Sequence, residues 1–138
     1  MRENVRANQG FALVEAVIAA FILAVAILTT AFSILNLQDM SETSREKVVA
    51  VADANRVLEA MRDTANNSFT TLSSTDWASW TVTNVINTKG ANEISLDQES
   101  LSSAFSGTNP VQATVTLTWN HRGHTYSYRV ITLMTDRG

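Results

Sequence analysis

Few side chains in this sequence could support chemistry, and two of them are its only histidines. His121 and His124 are spaced H-x-x-H, which could offer two imidazole ligands to a metal ion. No neighbouring acid completes a ligand set, and the chain contains no cysteine. We therefore interpret both histidines as turn residues with exposed imidazoles, and we predict neither a metal site nor a cofactor.

Motifs of catalysis are missing from the rest of the sequence. It has no Gly-rich phosphate loop, no G-x-S-x-G and no H-E-x-x-H. Asp97 and Glu99 fall in a predicted loop without an obvious partner. Tryptophans can stack on a ligand or on DNA bases, but Trp119 lies on the apolar face of a predicted strand and is expected in the core, whereas Trp77 and Trp80 are ambiguous. We do not expect an enzyme.

The charge of the chain argues against nucleic acid as a partner. The formal net charge is −3 and no basic patch stands out, so phosphate binding is not expected. Without cysteine the chain cannot form disulfides. A small domain outside the cytoplasm must then draw its stability from packing, from a long helix or from neighbouring chains.

One carboxylate stands out because of where it lies. Phe11–Leu35 is apolar except for Glu15 and a few hydroxyl residues. A helix of about 25 residues extends about 37 Å, enough to cross a bilayer. An acid costs about 2.5–3.5 kcal/mol at the centre of a membrane and less near its interface, so a functional role for Glu15 is the default interpretation.

Three kinds of segment could explain this apolar run: a secretory signal peptide, a plain signal anchor, or a helix that assembles with others. Small residues at 24–26 and 29–31 would suit signal peptidase. Neither a signal peptide nor an anchor needs Glu15. Arg2 and Arg6 before the run, with Asp39 and Glu42 after it, place the N-terminus in the cytoplasm.

The residues around the start of the run carry a resemblance to a known family. The stretch GFALVEAV, which begins at Gly10, resembles the type IV prepilin motif of Gly, an aromatic residue, a small or hydroxyl residue, two aliphatics and Glu. The resemblance covers residues 1 to about 40, and Ala12 and Val14 depart mildly from the usual residues. It implies cleavage by prepilin peptidase between Gly10 and Phe11, N-methylation of Phe11, and an assembly role for Glu15.

This resemblance also implies an organisation and a set of partners. A leader at 1–10 would precede a transmembrane and assembly segment at 11–35, followed by a periplasmic or extracellular pilin-like part at 36–138. The chain would be a minor pilin or a minor type II secretion pseudopilin of the PilV or GspI type. It would span the bacterial inner membrane once and be built into a pilus or pseudopilus.

Its partners would be other pilins or pseudopilins, prepilin peptidase, the inner membrane and the assembly machinery. The alternative is a membrane-anchored binding module, adhesin-like or recognising a substrate or DNA at a filament tip.

The position of Glu15 fits a role between chains. Cleavage would leave an ammonium group on Phe11, four residues before Glu15 and on nearly the same helix face. Within one chain that pair is cramped, but the Glu15 of a staggered neighbour can meet the ammonium. The pair avoids two isolated charges in a medium of low polarity. We therefore predict that it sets the axial register of the assembled helices.

The remainder of the chain predicts an α+β fold. Asp39–Ala65 contains neither Gly nor Pro, so the helix should continue to about Asn66–Ser68. Its apolar residues recur with a period near 3.6 and are expected to pack on a sheet. They are Met40, Val48, Val51, Ala52, Leu58 and Met61. The predicted fold is thus a long N-terminal helix, membrane-spanning in its first half and amphipathic in its second, packed on a small antiparallel sheet as in pilin-like proteins.

The C-terminal third gives the clearest strand signals. Val111–Trp119 alternates apolar and polar residues, 121–124 is a hairpin turn with Gly123, and Thr125–Met134 returns as a second strand, with Pro110 at the entry to the first. The middle of the chain is harder to read. There we predict a loop at 69–79, a strand at 80–86, a turn at 87–90, a short strand around Ile94 and Leu96, and a helical turn at 101–105.

Overall fold

A computed structural model describes residues 11–91 and 93–136, together with the backbone alone of residues 3–10. The helix α1 (Glu3–Asn67) is followed by the short helices α2 (Phe69–Leu72) and α3 (Trp77–Thr81), a π-helical turn at Val82–Ile86, and the strands β1 (Asp97–Ser106), β2 (Val111–His121) and β3 (His124–Met134). The fold is α+β: a long N-terminal helix and a three-stranded antiparallel sheet. Packing divides the chain into two units, 1–42 and 43–138, and the second is called the head below.

The long helix α1 follows from what its sequence lacks. Between Phe11 and Asn67 there is no Gly or Pro, so nothing interrupts the backbone hydrogen-bond ladder. The helix stops at Asn67, where Ser68 turns to an extended conformation with φ −158°. This confirms the helix and the end predicted from the Asn-Asn-Ser stretch.

The three strands form a simple meander in the order β1-β2-β3. β2 lies in the middle, and alternate side chains along its whole length are buried. Two residues, Arg122 and Gly123, join β2 to β3, with φ values of 50° and 82°. Two positive φ values in a two-residue loop match the twist of the flanking strands, as in a type I′ turn. The predicted strand pair and hairpin are confirmed, including Pro110 immediately before β2.

The core of the head lies between the inner face of the sheet, the C-terminal part of α1 and the short helices. Its buried apolar members are Ala50, Val57, Leu58, Met61, Leu72, Trp77, Val85, Leu96, Leu101, Val111, Ala113, Val115, Leu117, Trp119 and Met134. The predicted helical stripe was right in its C-terminal part, where Leu58 and Met61 are buried, and wrong in its N-terminal part. Val48 is 69% exposed and Ala52 is exposed, whereas the buried face of α1 contains Asp53. The prediction considered only apolar residues, so it did not include Asp53 in the buried face.

The segment after α1 differs from its prediction as loop and strand. Residues 69–81 contain α2 and α3, and 82–86 form a π-helical turn. Trp77, Thr81 and Val85 are all buried, so burial recurs every four residues, which is a helical and not a strand spacing. The β-favouring composition of 80–86 was therefore misleading, because packing overrides local propensity.

The aspartate that begins α3 has a measurable consequence. Asp76 accepts hydrogen bonds from the Ala78 and Ser79 amides, at 3.1 and 3.2 Å, and from the Ser79 hydroxyl at 2.6 Å. The side chain and amide of Ser79 hold the pKa of Asp76 below its usual value of 3.8.

We expect the Asp76→Ala variant to be less stable than the wild type at neutral pH, and the difference to disappear as the pH falls through the lowered pKa. Asp76 has a depressed pKa in the folded state, so its stabilisation exists above the unfolded value and is lost in acid. Urea denaturation at a series of pH values measures this. Asp63→Ala, at an exposed position of α1, serves as the control and should change the free energy of unfolding by no more than about 0.5 kcal/mol.

The stretch before β2 was also predicted incorrectly. Residues 101–105 belong to strand β1 rather than to a helical turn, and Ile94 and Leu96 precede the strand. Leu101 pairs with Leu117 and Phe105 with Ala113, so the inward-facing residues of β1 complete the inner face of the sheet. Small serines between them made the alternation hard to see in the sequence.

Candidate functional site

The apolar part of α1 is uncovered. Every side chain from residue 11 to residue 38 is exposed, including Phe11 at 79%, Phe21 at 69% and Phe32 at 65%. α1 is the one helix in the described part of the chain that is long and apolar enough to cross a membrane, and this stretch lies near the N-terminus. Soluble proteins rarely expose so large an apolar surface, and exposed patches of this kind are typical of sites that contact a membrane or other proteins.

The few hydroxyl groups in this stretch are satisfied by the helix itself. Thr29 donates to the Val25 carbonyl at 3.0 Å, Thr30 to that of Ala26 at 2.8 Å, and Ser33 to that of Thr29 at 2.9 Å. Hydroxyls that bond back to the preceding turn need no water. The stretch is thus compatible with an environment that excludes water.

Glu15 is the one acid among the uncovered residues from 11 to 38. It lies four residues after Phe11, a little more than one turn of α1. Its side chain is exposed, so it is available to a second chain. The cleavage position predicted at Gly10 lies outside the residues that are described with side chains.

Within the head, Glu46 on α1 contacts the end of β2. One of its carboxylate oxygens accepts a hydrogen bond from Trp119 Nε1 at 3.1 Å, and the other lies 2.8 Å from His121 Nδ1. The ring of Trp119 stacks on Tyr126 of β3, with centroids 5.8 Å apart. The predicted core position of Trp119 is confirmed. His121, however, is only 8% exposed, so the prediction of an exposed imidazole was wrong for it; His124 is exposed.

A second contact in the head gathers three charged side chains. Lys89 Nζ lies 2.8 Å from Asp53 Oδ2 and 2.5 Å from Glu99 Oε2. The exposed fractions of the three side chains are 6% for Lys89, 4% for Asp53 and 1% for Glu99. Asp53 comes from α1, Lys89 from the turn after the π-helical segment, and Glu99 from β1. We call these three residues the buried trio.

A backbone irregularity places Glu99 in the trio. Asp97 pairs with Asn120 and Ser100 with Thr118, so two residues of β1 lie opposite one of β2. Gln98 adopts a positive φ of 50° at this bulge. The bulge directs Glu99 to the inner face of the sheet, where its carboxylate accepts a hydrogen bond from Lys89 Nζ.

Opposing effects act on the pKa values of Glu99 and Lys89. Burial raises the pKa of the Glu99 carboxyl, an effect that Lys89 opposes and that the negative charge of Asp53 reinforces. Burial alone would lower the pKa of Lys89, but its contacts with Asp53 and Glu99 raise it above the usual value. Two acids therefore share one ammonium group in a site that excludes water.

The buried trio was not predicted from the sequence. Glu99 had no obvious partner because that partner, Lys89, lies in a turn ten residues earlier. Asp53 is charged, so the apolar pattern of α1 did not include it. The available signal was the spacing of Asp53 from Ala50, Val57 and Met61, which places it on their helix face.

The remaining two tryptophans pack against each other. Trp77 is buried and donates from Nε1 to the Leu72 carbonyl at 2.8 Å. Trp80 lies 5.7 Å from it, centroid to centroid, and packs against the core. Both are accounted for by the structure of the head, which resolves their ambiguity in favour of packing.

Comparison with protein-family models, with curated proteins and with solved structures finds no match to this chain.

Proposed function

We propose that this protein is a minor pilin or a minor type II secretion pseudopilin, which enters a filament through its N-terminal helix. The observation that carries the proposal is the uncovered stretch of α1 from Phe11 to Leu37, apolar throughout except for Glu15 and a few polar side chains. A lone membrane anchor needs apolar length but no acid near its start. A helix that packs against copies of its own kind can use that acid.

The proposed function implies a series of steps that begins with insertion of this helix into the membrane. The chain enters the inner membrane with its N-terminus in the cytoplasm, and prepilin peptidase removes residues 1–10. The new N-terminus at Phe11 is methylated. The helix then leaves the lipid for a bundle of similar helices, and the ammonium of Phe11 meets the Glu15 of a neighbour. Asn66–Asn67 and the sheet remain on the periplasmic or extracellular side.

We propose a minor rather than a major subunit because the chain lacks features that would support repeated contacts along a fibre. It has no cysteine pair to close a C-terminal loop, and the outward-facing residues of its sheet are mostly short and polar, such as Ser100, Thr114 and Thr116. Such a surface offers little apolar area for repeated lateral contacts along a fibre.

Processing of the N-terminus tests the proposal most directly. We expect the mature protein to begin at a methylated Phe11. Mass spectrometry of the N-terminal peptide from membranes of the native host measures this, and an inactive prepilin peptidase should leave residues 1–10 attached. A start at Ile27 or Phe32 would instead show cleavage by signal peptidase and would refute the proposal.

One feature of the head favours the second candidate, a membrane-anchored binding module. A cavity of about 330 Å³ is lined by Lys47, Val51, Trp119, Tyr126, Ser127 and Tyr128. Aromatic walls with one cation suit small ligands. The size of the cavity is at the lower end for a ligand site, and Trp119, at 2% exposed, offers little surface to it. The structural role therefore remains the main proposal.

A further inference from the structure

The buried trio combines a potential nucleophile, an electrophile and a proton carrier. Lys89 Nζ touches a carboxylate on each side, Asp53 and Glu99, and all three side chains are more than nine-tenths buried. We propose that Lys89 and Asp53 condense to form an intramolecular amide bond between Nζ and Cγ, and that Glu99 carries the proton that this step requires. The bond would form whether or not the chain assembles into a filament.

The ionic arrangement leaves this site incompletely satisfied. Two carboxylates face one ammonium, so one negative charge is uncompensated when both acids are ionised. Among the described residues, Glu99 Oε1 has no hydrogen-bond partner, and Asp53 Oδ2 has its ion pair with Lys89 but no well-directed hydrogen bond. Burying ions away from water is costly. Condensation replaces two of the three buried charges, those of Lys89 and Asp53, with a neutral amide and leaves Glu99 as the one acid of the site.

Glu99 is the group placed to move the proton. Its Oε2 is 2.5 Å from Lys89 Nζ, and burial raises the pKa of its carboxyl, so it accepts a proton more readily than an exposed carboxylate does. The ammonium is the resting form of Lys89, because its contacts with the two acids raise its pKa. The reaction therefore begins when Nζ passes a proton to Glu99 and gains a free electron pair.

The atoms of the step balance without any further reactant. The Nζ electron pair attacks Cγ of Asp53, and the bond between Cγ and one Oδ breaks. The leaving oxygen takes the proton held by Glu99 and the second proton lost from Nζ, and departs as water. Asp53 and Lys89 end as an amide with one N–H, and Glu99 returns to its initial state. The short ion-pair distance holds the reacting groups in place for this attack.

The bond would fasten elements that are distant in sequence. Asp53 lies in α1 and Lys89 lies shortly before β1. A covalent link between them would close the stretch that contains α2, α3 and the π-helical turn. A chain without cysteine has no disulfide for this purpose, and the link would restrict the unfolded chain in the same way as a disulfide does.

Mass spectrometry tests the proposal on the full-length chain, purified in detergent. Tryptic digestion of the wild-type protein is expected to yield one linked peptide that contains both Asp53 and Lys89 and weighs one water molecule less than its two parts. The intact denatured chain should be lighter by the same amount, after allowance for N-terminal processing. Unlinked peptides from a folded wild-type protein would overturn the proposal and show an ionic trio only.

Three variants assign the roles. Lys89→Arg keeps the charge but removes the amine nucleophile, and Asp53→Ala removes the electrophile, so both should have the full mass. Glu99→Gln keeps both reacting groups and should stay unlinked while tryptophan fluorescence shows a folded head. If Lys89→Arg still loses water, the loss arises elsewhere and the proposal is wrong. If Glu99→Gln links as completely as the wild type, Glu99 is not the proton carrier. The linked peptide of the wild type decides the question even if a variant does not fold.

Discussion

Replacement of Leu58 by aspartate is expected to unfold the head. Leu58 is 3% exposed and packs in the core shared by α1 and the sheet. An ionised carboxylate at this position would lose its water without gaining a partner, a change that costs about 4 kcal/mol or more. A domain of this size is stable by about 5–15 kcal/mol, so the variant retains little or none of that free energy.

Tryptophan fluorescence during urea denaturation of the full chain in detergent measures this effect. All three tryptophans lie in the head, so the signal does not include the apolar part of α1. Val48→Asp is the matched control, because Val48 lies on the same helix but is 69% exposed. It should change the free energy of unfolding by no more than about 0.5 kcal/mol. Equal effects of the two substitutions would show that the buried face of α1 is wrongly assigned.

Replacement of Glu15 by alanine is expected to leave membrane insertion intact and to prevent incorporation into filaments. Insertion should if anything improve, because a charge leaves the apolar run. Incorporation should fail because the ammonium of a neighbour's Phe11 would be desolvated without a partner. Removing one member of such a pair costs about 3–5 kcal/mol, roughly 100-fold or more in an association constant.

Membrane fractionation measures the insertion, and immunoblots of sheared filaments or of purified pseudopili measure the incorporation. Glu59→Ala is the control, since Glu59 is an exposed acid on the same helix within the head. It should enter filaments at the wild-type level. If Glu15→Ala does so too, the charge pair does not set the register of this subunit, and the apolar surface alone accounts for assembly.

The elements predicted well from the sequence are those whose own residues determine them. The alternation of Val111–Trp119 requires one buried face, and the turn at Gly123 fixes how the chain returns. The continuity of α1 to Asn67 follows from the absence of helix breakers. In each of these cases the local preference and the packing agree, so the pattern was sufficient.

The elements predicted poorly depend on distant partners. Residues 80–86 favour strand locally, but Thr81 and Val85 are buried with Trp77, and that packing selects a helix. β1 is polar along most of its length and is a strand because β2 offers it an edge. The buried trio unites residues 53, 89 and 99, and no local pattern relates them. The assembly role of Phe11 and Glu15 stays a prediction, and it rests on a single acid in an apolar run.

The uncovered surface of α1 has a consequence for how the chain can move between environments. Lipid tails and the flanks of other helices are similar media for Phe21, Phe32 and their aliphatic neighbours. A transfer from one medium to the other therefore changes the free energy of each side chain little, and the backbone hydrogen bonds of the helix stay closed throughout. Whether the helix lies in lipid or among other helices then depends on small differences in close packing and on one ionisable group, Glu15. In the proposed assembly, a helix of this kind would need little work to pass from lipid into a bundle of similar helices.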